Sequence, residues 1–169
     1  RKVVYTGIGG HNEELSICDD HELMIRTYMV TKMHHIKKPL YIYRVTGDNT
    51  WLERNQKIQE ETVRLFNENA YMLAERDAFL RGLLKVDLGG GLFPRKGYLT
   101  VDQEGADINC DLNEGIPLDD NSVGVLNASN LIEQLLDPVK TMREIKRVLA
   151  HGGRAMIEVQ STDGLWAWQ

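Results

Sequence analysis

The residues of this chain whose types and spacing could do chemistry gather in its second half. Leu84-Lys85-Val86-Asp87-Leu88-Gly89-Gly90-Gly91 is a short apolar run that ends in an acid and three glycines. It reads as a buried strand opening, at its carboxyl end, into a loop with no side chains to hold a ligand away. Tyr98 to Val101 gives a second strand ending in Asp102. Ala106 to Leu112 holds a third, ending at Asp111, and Ser122 to Leu126 a fourth that runs into Asn127-Ala128-Ser129. Strand-end acids accept hydrogen bonds from hydroxyl and amino groups, so the set suits a nucleoside. Taken singly, Asp87, Asp102 or Asp111 is also an ordinary strand-end acid, and Gly89 to Gly91 an ordinary tight turn.

Positioning these residues takes strands that alternate with a well-capped helix. Asp137-Pro138 starts one, with an acid at the N-cap and proline at the first helical position. Val139, Met142, Ile145, Val148 and Leu149 are its expected buried stripe, Lys146 and Arg147 fall near its last turn, and Gly152-Gly153 should stop it. Ala155 to Val159 makes a fifth strand. The pattern predicts an α/β fold, a Rossmann-like parallel sheet with helices, with ligands beyond the carboxyl ends of the strands. A dinucleotide would need a helix N-terminus behind the glycine loop for its pyrophosphate. Only Leu92 to Gly97 separate the loop from the next strand, and Pro94 interrupts them. S-adenosylmethionine has no phosphate and needs only close backbone approach, one acid for the ribose and another for the adenine amino group. The spacing favours the methyl donor.

At these residues the chain resembles class I S-adenosylmethionine-dependent methyltransferases of the type 11 group. The matching segments are Val86 to Gly91, Val101-Asp102, Cys110-Asp111-Leu112, Ile116-Pro117-Leu118, Ser122-Val123 and Asn127-Ala128-Ser129. They continue through Ile132-Glu133, Arg143-Glu144-Ile145, Arg147-Val148-Leu149, Gly152-Gly153 and Ile157-Glu158-Val159. The resemblance implies that Asp87, Gly89, Gly90 and Gly91 surround the methionine part of the cofactor. It gives the ribose to Asp102, the adenine to Asp111 with the Leu112 backbone, and the border of the transferred methyl to Asn127, Ala128 and Ser129. Two positions depart from the family pattern: Gln134 stands where histidine often follows Glu133, and His151 where proline usually precedes Gly152-Gly153. His151 reads as a helix C-terminal dipole partner, and Glu133 and Glu144 as structural. No general base stands out.

The first half reads differently. Val3-Val4-Tyr5 is a short strand candidate. Asn12 to Met33 reads as a helix that Asp19 and Asp20 could cap, with Leu23, Met24, Tyr28 and Met29 on its buried face. Leu40-Tyr41-Ile42-Tyr43 reads as a strand closed by a turn at Gly47-Asp48-Asn49. The cluster Asp19-Asp20-His21-Glu22, with His34-His35 downstream, is either an acidic helix start that complements the dipole or a metal site whose spacing matches no ligand pattern. Cys18 to Arg26, Pro39 to Arg44 and Asn49-Thr50 resemble the end of a family-2 glycosyltransferase domain. That resemblance puts a catalytic base at Asp20 and leaves the nucleotide-sugar half, with its metal site, upstream of Arg1.

Between the two, Trp51, Ile58, Leu65, Met72 and Phe79 recur every seven residues among charged neighbours, with Leu52, Phe66, Leu73 and Leu80 beside most of them. This predicts an amphipathic helix broken near Asn67-Glu68-Asn69. The expected organisation is an α+β, glycosyltransferase-like remnant at 1–55, a connecting helix at 56–83 and the truncated N-terminal part of a methyltransferase domain at 84–169. The start at Arg1 and the stop at Gln169 suggest a fragment, whose Trp166 and Trp168 would lie near a cut end. The net charge is −5, and residues 84–169 carry 8 Lys and Arg against 13 Asp and Glu. That balance argues against a nucleic-acid groove. No apolar run spans a bilayer, and Cys18 and Cys110 give no disulfide framework, which makes the cytoplasm the default compartment. The leading reading is methyl transfer to a small molecule, sugar or glycan hydroxyl. The others are a glycosyltransferase lacking its donor half, and a non-catalytic module with a vestigial site.

Overall fold

Five runs of the chain pair into one parallel sheet, in the order β3-β2-β1-β4-β5. They are β1 (Leu84–Leu88), β2 (Leu99–Asp102), β3 (Ile108–Asn109), β4 (Val123–Ser129) and β5 (Leu149–Glu158). The computed structural model describes residues 2–42 and 50–160, apart from the side chains of residues 50–54. It divides into two compact units, residues 1–73 and 74–169, and the sheet lies in the second. The α/β class and its parallel strands are as the sequence predicts.

The strand order reverses between β1 and β4. Asp87 stands opposite Asn127 there, and Leu88 opposite Ala128. β4 is buried along six of its seven residues, as a central strand covered on both faces must be. On one face, Val86, Leu88, Val101, Leu126 and Ala128 pack with Ile145 and Val148 of helix α5 (Pro138–Val148). On the other, Val125 packs with Ala74 and Ala78 of helix α4 (Ala70–Arg81). Alternation alone would put Val123 with Val125, yet Val123 joins the α5 side. The register with both neighbours shifts between Val123 and Val125. Gly124 is therefore a bulge residue, which resets which face each later side chain takes.

Helix α5 starts as expected, with Asp137 Oδ1 accepting from the Lys140 amide at 2.9 Å and proline following it. Its buried face is Thr141, Ile145 and Val148, whereas Val139 and Met142 are exposed. Positions i, i+4 and i+7 share one helix face, and Thr141 fits it because its hydroxyl bonds back to the Asp137 carbonyl at 3.2 Å. Gly152-Gly153 do not stop the helix. It ends at Val148 and passes directly into β5, which holds both glycines, so exposed His151 lies on a strand and not at a helix end. The third strand shrinks to two residues, because Asp107 turns aside to accept from the Thr100 amide and hydroxyl, both at 2.9 Å.

In the first unit, Val3-Val4-Tyr5 lies in helix α1 (Lys2–Gly7) and not in a strand. Its carbonyls find local partners, with the Ile8 amide donating to Val4 at 3.0 Å and that of Gly10 to Tyr5 at 3.0 Å. The helix expected over Asn12 to Met33 is confined to α2 (Asp19–Val30). Asn12 diverts the chain into a turn, its side chain accepting from the Glu14 amide at 3.0 Å. The N-cap is Cys18, at φ 60°, and not Asp19 or Asp20, which sit in the first turn. The buried residue of α2 is Ile25, not the expected stripe, and it packs with Ile17, Cys18 and Leu65. Leu40, Tyr41 and Ile42 form no strand and are exposed. The expected turn at Gly47-Asp48-Asn49, Tyr43, Arg44, the side chains of Trp51 and Leu52, and Trp166 and Trp168 lie outside the described residues.

The connector breaks where the sequence predicts, between helix α3 (Thr50–Glu68) and α4. Asn69 marks the break, its side-chain amide donating to the Leu65 carbonyl at 2.7 Å. The seven-residue stripe does not survive it. Leu65 is buried, but Met72 and Phe79 are exposed, because in α4 the inward face carries Ala74 and Ala78. Small residues are needed there: a Cβ on Gly124 would lie 2.6 Å from the Ala78 Cβ and 3.0 Å from its Cα. Gly124→Ala should lower stability by about 2 kcal/mol through this overpacking, and Gly124→Val by more. Urea unfolding followed by circular dichroism tests it, and an unchanged midpoint would mean that α4 does not press on β4.

Candidate functional site

The switch between β1 and β4 opens a crevice at their carboxyl ends, which is where open α/β sheets bind ligands. Gly89, Gly90 and Gly91 leave β1 here. Gly89 has φ +64°, and a Cβ on it would lie 2.8 Å from Leu131. A Cβ on Gly90 would lie 2.9 Å from Asp87 Oδ2. Gly91 has φ +51° and nothing within 4 Å of a Cβ position, so its backbone faces open space. The triplet is thus glycine for two reasons: close packing at Gly89 and Gly90, and left-handed backbone at Gly89 and Gly91.

Asp87 is 3% exposed. Its Oδ1 accepts from Asn127 Nδ2 at 2.7 Å and its Oδ2 from the Arg95 amide at 2.7 Å. Asp102 is half-buried and faces the loop, its Oδ2 accepting from the Gly91 amide at 3.0 Å and its Oδ1 from the Gln103 amide at 2.7 Å. An ionised carboxylate offers about four lone-pair sites, so two remain for hydroxyls. Asp111 is exposed. Its Oδ1 accepts from the amide and side chain of Asn113, both at 2.9 Å, which leaves Oδ2 outside these bonds.

Four of the sequence-predicted residues therefore form two directly bonded pairs, Gly91 with Asp102 and Asp87 with Asn127. Asp111 stands apart, on a depression of about 340 Å³ that it lines with Cys110, Glu114, Ile116, Pro117 and Glu144. The space enclosed between Gly91 and Asp102 is only about 20 Å³. A nucleoside would have to lie over this edge and reach toward the larger depression, since small-molecule sites usually need several hundred Å³. Cys110 lies between the two acids. Burial raises its thiol pKa, and the charges of Asp111 and Asp102 raise it further. Leu112 and Ala128 have side chains in the core, so only their backbones can border a ligand. The Ser129 hydroxyl donates to Glu158 Oε2 at 2.9 Å.

Asn113 escaped the sequence reading, and Arg147 entered it only as a helix-end residue in a matching segment. Asn113 holds Asp111 on one side, and on the other accepts from the Leu136 amide at 2.8 Å and from Lys140 Nζ at 2.5 Å. The Asp-x-Asn spacing was a legible signal for that turn. Arg147 does more than complement a helix end. Its guanidinium donates to the carbonyls of Ile116 at 2.7 Å and Leu118 at 2.8 Å, to Asp120 at 2.7 Å and to both oxygens of Glu144. Glu144 also accepts from the Ile116 amide at 3.1 Å. This pair holds the 116–120 segment, of which Ile116 and Pro117 line the depression.

In the first unit, Asp20 is exposed and accepts from the neighbouring His21 amide at 2.9 Å. Asp19 pairs with His11 at 2.8 Å. Among the described residues no group of three His, Cys, Asp or Glu side chains could hold a metal ion, and no helix is long and apolar enough to cross a membrane.

Residues 94–157, less than half of the chain, match the model of a methyltransferase domain. The match implies S-adenosylmethionine as the cofactor of that stretch. Among solved structures, the chain is similar to a protein of Methanococcus maripaludis assigned provisionally as an S-adenosyl-L-methionine-dependent methyltransferase. The two are 17% identical with a TM-score of 0.36, over 62% of this chain and 62% of that one. The chain thus spans under two thirds of that protein's length. No curated protein matches it.

Bonds from Arg147, then from the Ile116 amide, hold the Glu144 carboxyl down at about 2 from an ordinary 4.5. A lowered folded-state pKa stabilises fully above the unfolded value and is lost as pH falls through the folded one. Stability should therefore decline between about pH 5 and pH 2 more steeply in the parent than in Glu144→Gln. Urea midpoints measured across that range test this, and parallel curves would rule the clamp out.

Proposed function

We propose that residues 74–169 form the cofactor-binding part of an S-adenosylmethionine-dependent methyltransferase. The observation that carries this reading is the Gly91 amide on Asp102 at the carboxyl edge of β1 and β2. An open glycine backbone and a ribose-type acid meet there, with no helix between them to receive a phosphate. The methyltransferase-domain match over residues 94–157 supports it independently.

In this reading Gly89 to Gly91 lie along the methionine part and Asp102 accepts from the ribose hydroxyls. Asp111, through Oδ2, and the Leu112 backbone take the adenine, and Asn127 to Ser129 border the transferred methyl. When bound, the cofactor supplies a methyl group activated by a sulfonium. The chain's own contribution is positional, holding donor and acceptor in line and keeping the glycine loop and the ends of β2 and β4 fixed. For the acceptor we propose a sugar or glycan hydroxyl within a larger glycosyltransferase-methyltransferase protein. That part rests on the resemblance of residues 1–55 to the end of a glycosyltransferase domain.

Calorimetric titration with S-adenosylhomocysteine tests the reading. Saturable one-to-one binding is expected, weakened at least tenfold in Asp102→Ala, since a hydrogen bond to a charged group is worth about 1.5–3 kcal/mol. Equal binding by parent and variant would remove Asp102 from the site. No binding by the parent would favour a non-catalytic module.

A further inference from the structure

We propose that Asp87 is a positioning residue: its carboxylate ties the glycine loop to Asn127 and does not itself touch the cofactor. The proposal rests on the cofactor reading above and changes what the sequence implies for this residue. Three observations carry it. First, Asp87 is 3% exposed, so little of it is available to a ligand. Secondly, each Asp87 oxygen has a short bond to a protein N–H, from Asn127 Nδ2 and from the Arg95 amide, both at 2.7 Å. Thirdly, the loop backbone roofs the carboxylate. A Cβ on Gly90 would lie 2.9 Å from Oδ2 and 3.2 Å from the Pro94 Cα.

The two donors come from opposite sides of the crevice. Arg95 belongs to the segment joining β1 to β2, and Asn127 to β4, across the point where the strand order reverses. One buried carboxyl group therefore bonds both β4 and the segment joining β1 to β2. A carboxylate accepts from both partners, whereas a carboxamide has one accepting and one donating end. Asp87→Ala leaves both N–H groups without this acceptor. Exchanging the residues, Asp87→Asn with Asn127→Asp, restores the pairing. The carboxamide at 87 accepts from the Arg95 amide and donates to the carboxylate at 127.

The test uses the whole chain, titrated calorimetrically with S-adenosylhomocysteine, with hydrogen exchange of the Arg95 amide followed by NMR in the absence of ligand. Asp87→Ala should weaken binding by about tenfold or more, the cost of unmet buried hydrogen bonds, and speed Arg95 exchange. The exchanged double variant should regain Arg95 protection and most of the affinity. Unchanged affinity and exchange in Asp87→Ala would overturn the proposal. So would a double variant that recovers protection without affinity, since the charge at 87 would then be meeting the cofactor. If neither variant folds, the pair is a requirement of the core, and the positioning role falls. If the parent binds no S-adenosylhomocysteine, the cofactor reading fails, while Arg95 exchange still decides whether Asp87 anchors the loop.

Discussion

The second unit depends on the pairing of β1 with β4. Every other strand is added outside this pair, β2 and β3 on one side and β5 on the other. The pair is covered by helices on opposite faces, α4 through Ala74 and Ala78 and α5 through Ile145 and Val148. Its register is set by side chains that cannot be exchanged between faces. A slip by one residue would turn Leu126 and Ala128 out of the α5 core and bring Asn127 into it, away from Asp87. The bulge at Gly124 is what allows Val123 and Leu126 to reach the same core although they are three residues apart. Packing and site geometry are thus one constraint at this strand.

The chemistry at the carboxyl edge is mostly a matter of how acids are held. Asp102 accepts backbone amides, Asp111 is oriented by Asn113, and Glu144 beside it is engaged by Arg147 and the Ile116 amide. Hydrogen bonds to charged acceptors are stronger than neutral ones and directional. The strand-end loops consequently have defined shapes although they contain no helix between β1 and β3. An acidic edge built this way presents oriented acceptors to hydroxyl and amino groups, as a nucleoside requires.

The sequence revealed the sheet because its strands are short apolar runs ended by glycine or acid, a pattern that depends on near neighbours only. Asp102 at the end of β2 and the glycine loop at the end of β1 were legible for the same reason. What could not be read depended on tertiary partners. Nothing local says that Asp87 faces Asn127, forty positions away, or that Arg147 reaches back to Ile116 and Leu118. The apolar stripe of α5 was misjudged because a polar Thr141 takes an inward position by satisfying its own hydroxyl within the helix. In the first unit, the strand reading of Val3 to Tyr5 failed because a three-residue apolar run carries no periodicity, and local carbonyl partners decided for helix.

The brevity of β3 also bears on association. It is the edge strand on its side of the described sheet, and only Ile108 and Asn109 are in register with β2. Two residues expose too few amides and carbonyls to template an extended peptide, and Asp107 bends the chain away just before them. Short, charged edges of this kind discourage strand addition from another molecule. This flank of the sheet therefore offers little backbone for β-augmentation.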